Sequence, residues 1–259
     1  MAAAAAATST TTMTDVRIVL YDEKGDEMET DDDIVVRVQT NAVVEASHDA
    51  SIFDLEDVWA QQGDRSESGQ VVWNASALLA SMILRERRCV GVETNRDESC
   101  IELGAGAGVT GIALARLFSR VTLTDLPSCV AALENHIALN GDAITAAGCD
   151  QMDAMSLDWC SPPAEHLRES YDVAVAADCV YEGAGVASAL LRSAAALLKP
   201  SRGWLALLSG IHRDGVGHLE QLVTMSGDWD VPVVRFVDAH GVEARRDECD
   251  YVFLCVRKR

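Results

Sequence analysis

Basic residues are scarce in this chain. Its 259 residues include 41 acidic and only 21 basic side chains, a formal net charge of −20, and just three of the basic ones are lysines (Lys24, Lys199 and Lys258). A protein that tracks nucleic-acid phosphates needs a basic stripe, and one that docks on anionic lipid needs a basic cluster, so neither partner is expected. No run of 18 apolar residues occurs, which argues against a transmembrane helix. Paired cysteines are lacking as well. The eight cysteines form no Cys-x-x-Cys motif, and the six histidines do not stand beside them at ligand spacing. No metal site is expected, and the cysteines read as reduced thiols of the cytosol, with the nucleus equally compatible. The first dozen residues, six alanines and then a Ser/Thr tract, have neither the positive start of a signal peptide nor the arginines of a transit peptide.

What is present is an ordinary globular composition, 49% hydrophobic and 24% charged, with enough chain to bury a sizeable core. Three regions are expected. Residues 1–14 read as a disordered tail. Residues 15–70 read as an acidic extension, with β-branched runs at 16–20 and 34–38 forming a hairpin around an acidic loop, followed by a connecting loop over 50–69. Residues 71–259 read as the main domain. Acidity is uneven: residues 1–70 hold 16 acidic and four basic side chains. Such a segment would steer a basic protein surface by its field.

From residue 100 the pattern becomes regular. Apolar strand-like runs at 101–103, 121–125, 152–157, 171–177 and 203–208 alternate with helical patterns at 109–118, 127–140, 186–198 and 219–225. An earlier helix starts near Asn74. The last two runs, 231–237 and 251–256, have no helix between them and should pair antiparallel. The expected fold is α/β: a doubly wound, mostly parallel seven-stranded sheet of Rossmann-like form, with an antiparallel edge and an N-terminal hairpin extension.

Between the first of these strands and its helix stands Glu102-Leu103-Gly104-Ala105-Gly106-Ala107-Gly108. Glycines there let a ligand approach the backbone, next to the free N–H groups of a helix start. Asp125 ends the next strand, 21 residues beyond Gly104. An acid at that sheet edge can accept two ribose hydroxyls, in nicotinamide and S-adenosylmethionine enzymes alike. None of the four tyrosines is followed by lysine four positions later, a pair that one-domain nicotinamide reductases commonly use. Hydride transfer therefore ranks second.

Taken together, Val72-Trp73 with Ala75, the 102–111 glycine loop, Leu123-Thr124-Asp125-Leu126 with Asn135 and Asn140, Leu157-Asp158-Trp159, and Ala177-Asp178-Cys179-Val180-Tyr181 resemble the seven-β-strand protein-lysine methyltransferases. The nearest branch modifies valosin-containing protein, chaperones and elongation factors. The resemblance spans roughly residues 70 to 259. It implies S-adenosyl-L-methionine as cofactor and an enzyme that methylates lysine in a protein substrate such as a chaperone, an AAA ATPase or a translation factor; a monomer is expected. It further implies that Gly104, Ala105 and Gly106 line the methionine and ribose, that Asp125 holds the ribose, that Trp159 lies against the adenine, and that Trp73 and Ala177 flank the cofactor, with Glu102 and Leu126 completing the site. Asp178 and Tyr181 would be catalytic. Acceptors on adenine or glutamine amides are disfavoured, because the enzymes that use them carry Pro-Pro where this chain has Cys179-Val180. Asp178 would align the amine while a proton leaves to water, and Tyr181 would wall the channel and face cationic groups. The loop 209–215 should border the acceptor, where His212 reads as a solvated turn and Arg213 as a possible substrate contact. Histidine or a small-molecule amine as acceptor, and a cofactor-binding module without turnover, are the alternatives.

Overall fold

The computed structural model describes residues 12–20, 24, 26–28, 34–40, 42–44, 71–87, 97–180, 183–213 and 216–259. The connecting loop expected over 50–69 and Tyr181 lie outside the described residues.

Seven strands build the main sheet in the order β10-β11-β9-β8-β5-β6-β7: β5 (Ser99–Leu103), β6 (Arg120–Asp125), β7 (Gln151–Ser156), β8 (Val173–Ala177), β9 (Trp204–Gly210), β10 (Val233–Val237) and β11 (Tyr251–Arg257). Strands β5 to β9 are parallel. The last two pair antiparallel at one edge, as expected, and β11 is the reversed strand, lying between β9 and β10. Residues on both faces of the central strands are buried, which is why these strands read as continuous apolar runs. Cys100, Val173, Val175, Ala206, Leu208 and Phe253 face one core, and Ile101, Leu103, Ala174, Ala176, Leu205 and Leu254 face the other. The chain order reverses between β5 and β8, and ligands bind at such a switch point in open α/β sheets.

Six helices are described: α1 (Asn74–Arg85), α2 (Val109–Leu114), α3 (Pro127–Leu139), α4 (Gly141–Ala146), α5 (Ala184–Leu197) and α6 (Val216–Ser226). Helix α2 stops four residues short of the expected end. Its last amides switch to tighter three-residue bonds (Leu117 N–H to Leu114 O, 2.9 Å) as the chain turns to bury Phe118 and enter β6. Helix α4 had no expectation attached, and it buries a single side chain, Ile144, too little to make a periodic pattern.

The hairpin forms from β1 (Thr12–Ile18) and β2 (Ile34–Thr40), beginning inside the expected tail. It does not join the main sheet. A second small pair, β3 (Ala42–Val44) and β4 (Val71–Trp73), leads into α1. Val36 and Val38 alternate inward to the core shared with α1 and α2. The outer edge of β2 is held by side chains of α3 and the residue that follows it. Asn140 accepts the Arg37 N–H through Oδ1 (2.8 Å) and donates from Nδ2 to Arg37 O (2.6 Å). The Gln39 N–H donates to Nε2 of buried His136 (3.0 Å), whose Nδ1–H then donates to Ala107 O in the glycine loop (3.0 Å).

Burial lowers the pKa of His136, against the pull of the two backbone carbonyls near its ring. A histidine kept neutral by the fold supplies stability that is complete above its unfolded pKa of about 6.5 and declines as pH falls toward the lower folded value. As pH falls below about 6.5, hydrogen exchange should lose protection at the Gln39 amide. The Arg37 amide, held by non-titrating Asn140, should keep its protection. Constant protection at Gln39 would contradict this reading of His136.

Candidate functional site

At the carboxyl edge of β5, β6 and β8 a cavity of about 500 Å³ opens, a size typical of small-molecule sites. Ten of the eleven residues singled out from the sequence line it: Trp73, Glu102, Gly104, Ala105, Gly106, Asp125, Leu126, Trp159, Ala177 and Asp178. The eleventh, Tyr181, is outside the described residues.

The glycine loop makes the floor. Gly104, Gly106 and Gly108 all have positive φ (67°, 53° and 76°), a conformation that disfavours side chains. A Cβ on Gly104 would also stand 3.0 Å from that of Cys179 and 3.1 Å from the Trp159 ring. The loop is tied to β6 by two bonds: Ala105 N–H to Thr124 O (2.9 Å) and Gly106 N–H to Asp125 Oδ2 (2.7 Å). Asp125 Oδ1 accepts the Leu126 N–H (2.7 Å), so each carboxylate oxygen carries one strong backbone bond. Leu126 is half exposed at the rim. Beside Asp125, burial and that carboxylate push the Cys129 thiol up to about 11.

The walls are apolar and aromatic. Trp73 ends β4 and begins α1. Trp159 follows β7 in a turn closed by Asp158, which accepts the Cys160 N–H (2.9 Å) and the Ser161 hydroxyl (3.2 Å). This local side-chain bond turns Trp159 toward Gly104 and the core beneath it. Leu157, Val186 and Ala189 complete this side.

Asp178 follows β8 in the left-handed region (φ 51°), with its side chain 8% exposed. Its carboxylate is clamped by Arg213, with Nε 3.1 Å from Oδ1 and Nη2 2.5 Å from Oδ2, and Oδ1 also accepts the Gly210 N–H (3.1 Å) and the Ser209 hydroxyl (3.4 Å). The guanidinium also stands 5.2 Å over the Trp73 ring. Arg213 thus turns inward, whereas its neighbour His212 is exposed, as a solvated turn should be. The position after β9 pointed to this loop, but nothing in the sequence linked Arg213 to Asp178. The described residues contain no group of three His, Cys, Asp or Glu able to hold a metal ion. No helix among them is long and apolar enough to cross a membrane.

Glu102 sits in the middle of the buried sheet, 1% exposed, and accepts the Gly111 N–H at 2.8 Å. Burial raises its pKa to about 7, more than the Gly111 and Thr110 hydrogen bonds lower it. A carboxyl whose folded pKa is raised destabilises as it ionises, so stability is lost as pH climbs from the unfolded value of about 4.3 to about 7. Glu102→Gln keeps an acceptor for Gly111 and removes the charge. Denaturation of both proteins should show E102Q gaining relative to wild type from about pH 5 to about pH 7.5, by up to about 3 kcal/mol, and no further change above that. A pH-independent difference would count against a titrating Glu102.

A family model described as lysine methyltransferase matches residues 52–213. Among curated proteins, the chain is 30% identical over 110 residues to EEF1A lysine methyltransferase 3 of Xenopus tropicalis, covering 42% of this chain and 44% of that protein. It is 29% identical over 131 residues to protein N-lysine methyltransferase METTL21A of the same organism, covering 50% and 54%. The chain thus spans about half the length of these curated relatives. A TehB-like SAM-dependent methyltransferase from Corynebacterium glutamicum shares the fold, with a TM-score of 0.51, 13% identity, and 81% of this chain and 100% of that one covered.

Proposed function

Because the chain belongs to the lysine methyltransferase family, we propose that it transfers the methyl group of S-adenosyl-L-methionine to the ε-amine of a lysine in a protein substrate. The observation that carries this reading is that the glycine loop, Asp125 and Asp178 open onto one cavity at the switch point of the sheet.

The residues present suit the cofactor. Two left-handed glycines in the cavity wall, Gly104 and Gly106, let its chain lie close to the backbone, and the bare Gly104 lets the Trp159 ring pack beside the loop. Asp125 accepts one backbone N–H on each oxygen, and its remaining acceptor capacity suits a ribose diol. The indole of Trp159 offers a flat apolar face for a purine, with Leu157 beside it. When bound, the cofactor supplies a methyl group activated by a sulfonium. Asp178, beyond Ala177 at the end of β8, would align an amine with that methyl, and among the described residues its second oxygen carries only the Arg213 bond.

The partner is a protein with a basic surface around its target lysine. Among the described residues that line the cavity, Arg213 is set against Asp178 and the Glu102 charge is suppressed by burial, which leaves the acidic side chains of Asp125 and Asp158 without a basic counterpart, a balance that favours cationic acceptors. The seven free cysteines of the described residues suit a reducing compartment, cytosol or nucleus. We take the working form as a monomer.

The direct test incubates the protein and labelled cofactor with lysate from a strain that lacks it, then identifies the modified residue by mass spectrometry. Methyl-lysine is expected, and methyl-histidine or a labelled small molecule as sole product would overturn the acceptor assignment. Two variants separate binding from turnover. Asp125→Ala should weaken S-adenosylhomocysteine binding, measured by calorimetry, by roughly a hundredfold, as two charge-assisted hydrogen bonds are lost. Asp178→Asn should leave that affinity within about threefold while transfer falls by at least about a hundredfold. A folded D178N protein that no longer binds the cofactor product would remove Asp178 from the acceptor site.

A further inference from the structure

An aspartate beside an amine creates a difficulty for methyl transfer. The carboxylate stabilises the ammonium form, which has no lone pair with which to attack a methyl group. A solvated lysine is already protonated at neutral pH, with a pKa of about 10.4, and a bare buried carboxylate would raise that further.

The carboxylate here is not bare. Asp178 and Arg213 form an enclosed pair, 8% and 13% exposed, joined by two hydrogen bonds. A guanidinium holds its proton throughout the working pH range, so the pair stays neutral as a unit. Oδ1 is filled by Arg213 Nε, the Gly210 N–H and the Ser209 hydroxyl, whereas among the described residues Oδ2 accepts only Arg213 Nη2. One acceptor site therefore remains, on a carboxylate that has already lost its net field. Trp73 fixes the far side of the guanidinium, so the clamp joins the segment that enters α1 to the loop that follows β9.

We propose that Arg213 is a positioning residue for methyl transfer: it cancels the charge of Asp178 and leaves it one oriented acceptor site, so that the incoming amine is aligned in its neutral form rather than gripped as an ammonium. The inference rests on the lysine reading above. The aligned amine gives its lone pair to the methyl carbon, the carbon–sulfur bond breaks, sulfur departs as a neutral thioether, and the extra proton on nitrogen leaves to water. Other titratable groups facing the pair among the described residues are Tyr251 and Asp250 at the start of β11, Cys179 beside Asp178, and Asp125 and Glu102 across the cavity. Burial and the Asp178 charge hold both the Tyr251 phenol and the Cys179 thiol in their protonated, uncharged forms.

The test compares wild type with Arg213→Met, which keeps an apolar contact for Trp73 and removes the charge. The pH profile of labelled-methyl transfer into the lysate proteins should move its rising limb upward by about one pH unit in R213M, with most of the activity recovered at high pH. Binding gives a readout that needs no turnover. Sinefungin, an S-adenosylhomocysteine analogue with a primary amine in place of the transferable methyl, should gain about tenfold over S-adenosylhomocysteine in R213M, because the bare carboxylate now grips its ammonium. The double variant D178N/R213M removes both charges and should return the sinefungin ratio to the wild-type value. It also keeps the test available if R213M, with an unpaired buried carboxylate, fails to fold. Equal loss at every pH in R213M with an unchanged ratio, or a double-variant ratio displaced from wild type, overturns the proposal. If wild type binds S-adenosylhomocysteine but methylates no amine, the lysine reading fails by itself and the sinefungin ratio still decides the role of Arg213.

Discussion

The bond from the Gly106 N–H to the Asp125 carboxylate is the constraint on which the site depends. Strands β5 and β6 pair in parallel up to Leu103 and Thr124. Beyond that, the ladder continues by one backbone bond, Ala105 to Thr124, and then by a side chain, Gly106 to Asp125. A loop tied in this way must turn sharply, which takes glycines of positive φ, and it delivers Val109 to the start of α2. Gly111, on the first turn of that helix, lies so close to Leu123 that a Cβ there would overlap it at 2.2 Å. One carboxylate thus sets the loop and the docking of the helix, while its remaining acceptor places face the cavity.

Glu102 and Asp178 are both buried acids at that edge of the sheet, and the fold treats them differently. Glu102 meets amide and hydroxyl donors only, and its charge is suppressed by a bound proton near neutral pH. Asp178 meets a guanidinium, and its charge is cancelled by a partner that never titrates. The contrast follows from their neighbours. Glu102 points at α2, which is made of small and apolar residues, whereas Asp178 stands at a strand end where a following loop can bring in an arginine.

Much of the architecture was legible because parallel strands buried on both faces leave unbroken apolar runs, and because Gly104-Ala105-Gly106 falls where a strand meets a helix. The positions of Asp125 and of the final antiparallel pair followed from the same pattern. Trp73 and Trp159 were legible only through resemblance, since a tryptophan in a short turn carries no local signal of what it faces. The clamp on Asp178 was not legible, because Arg213 is 35 residues away and the two meet only when β8 and β9 lie side by side. The insertion of β11 between β9 and β10 likewise has no local signature, because strand order is decided by packing between segments distant in the chain. His136 looked like any helical residue until the hairpin lay against it.

The edge of β2 that faces α3 has a consequence for solubility. A two-stranded ribbon outside the main sheet ordinarily offers a row of free amides and carbonyls to any extended chain, and β-branched sequences such as Ile34-Val35-Val36 are good recruits for cross-strand association. Here the groups of Arg37 and Gln39 that would template such an addition are occupied by Asn140 and His136. Two side chains, one on α3 and one just after it, therefore act as gatekeepers for the appended ribbon, closing to aggregation a surface that the ribbon could not protect by itself.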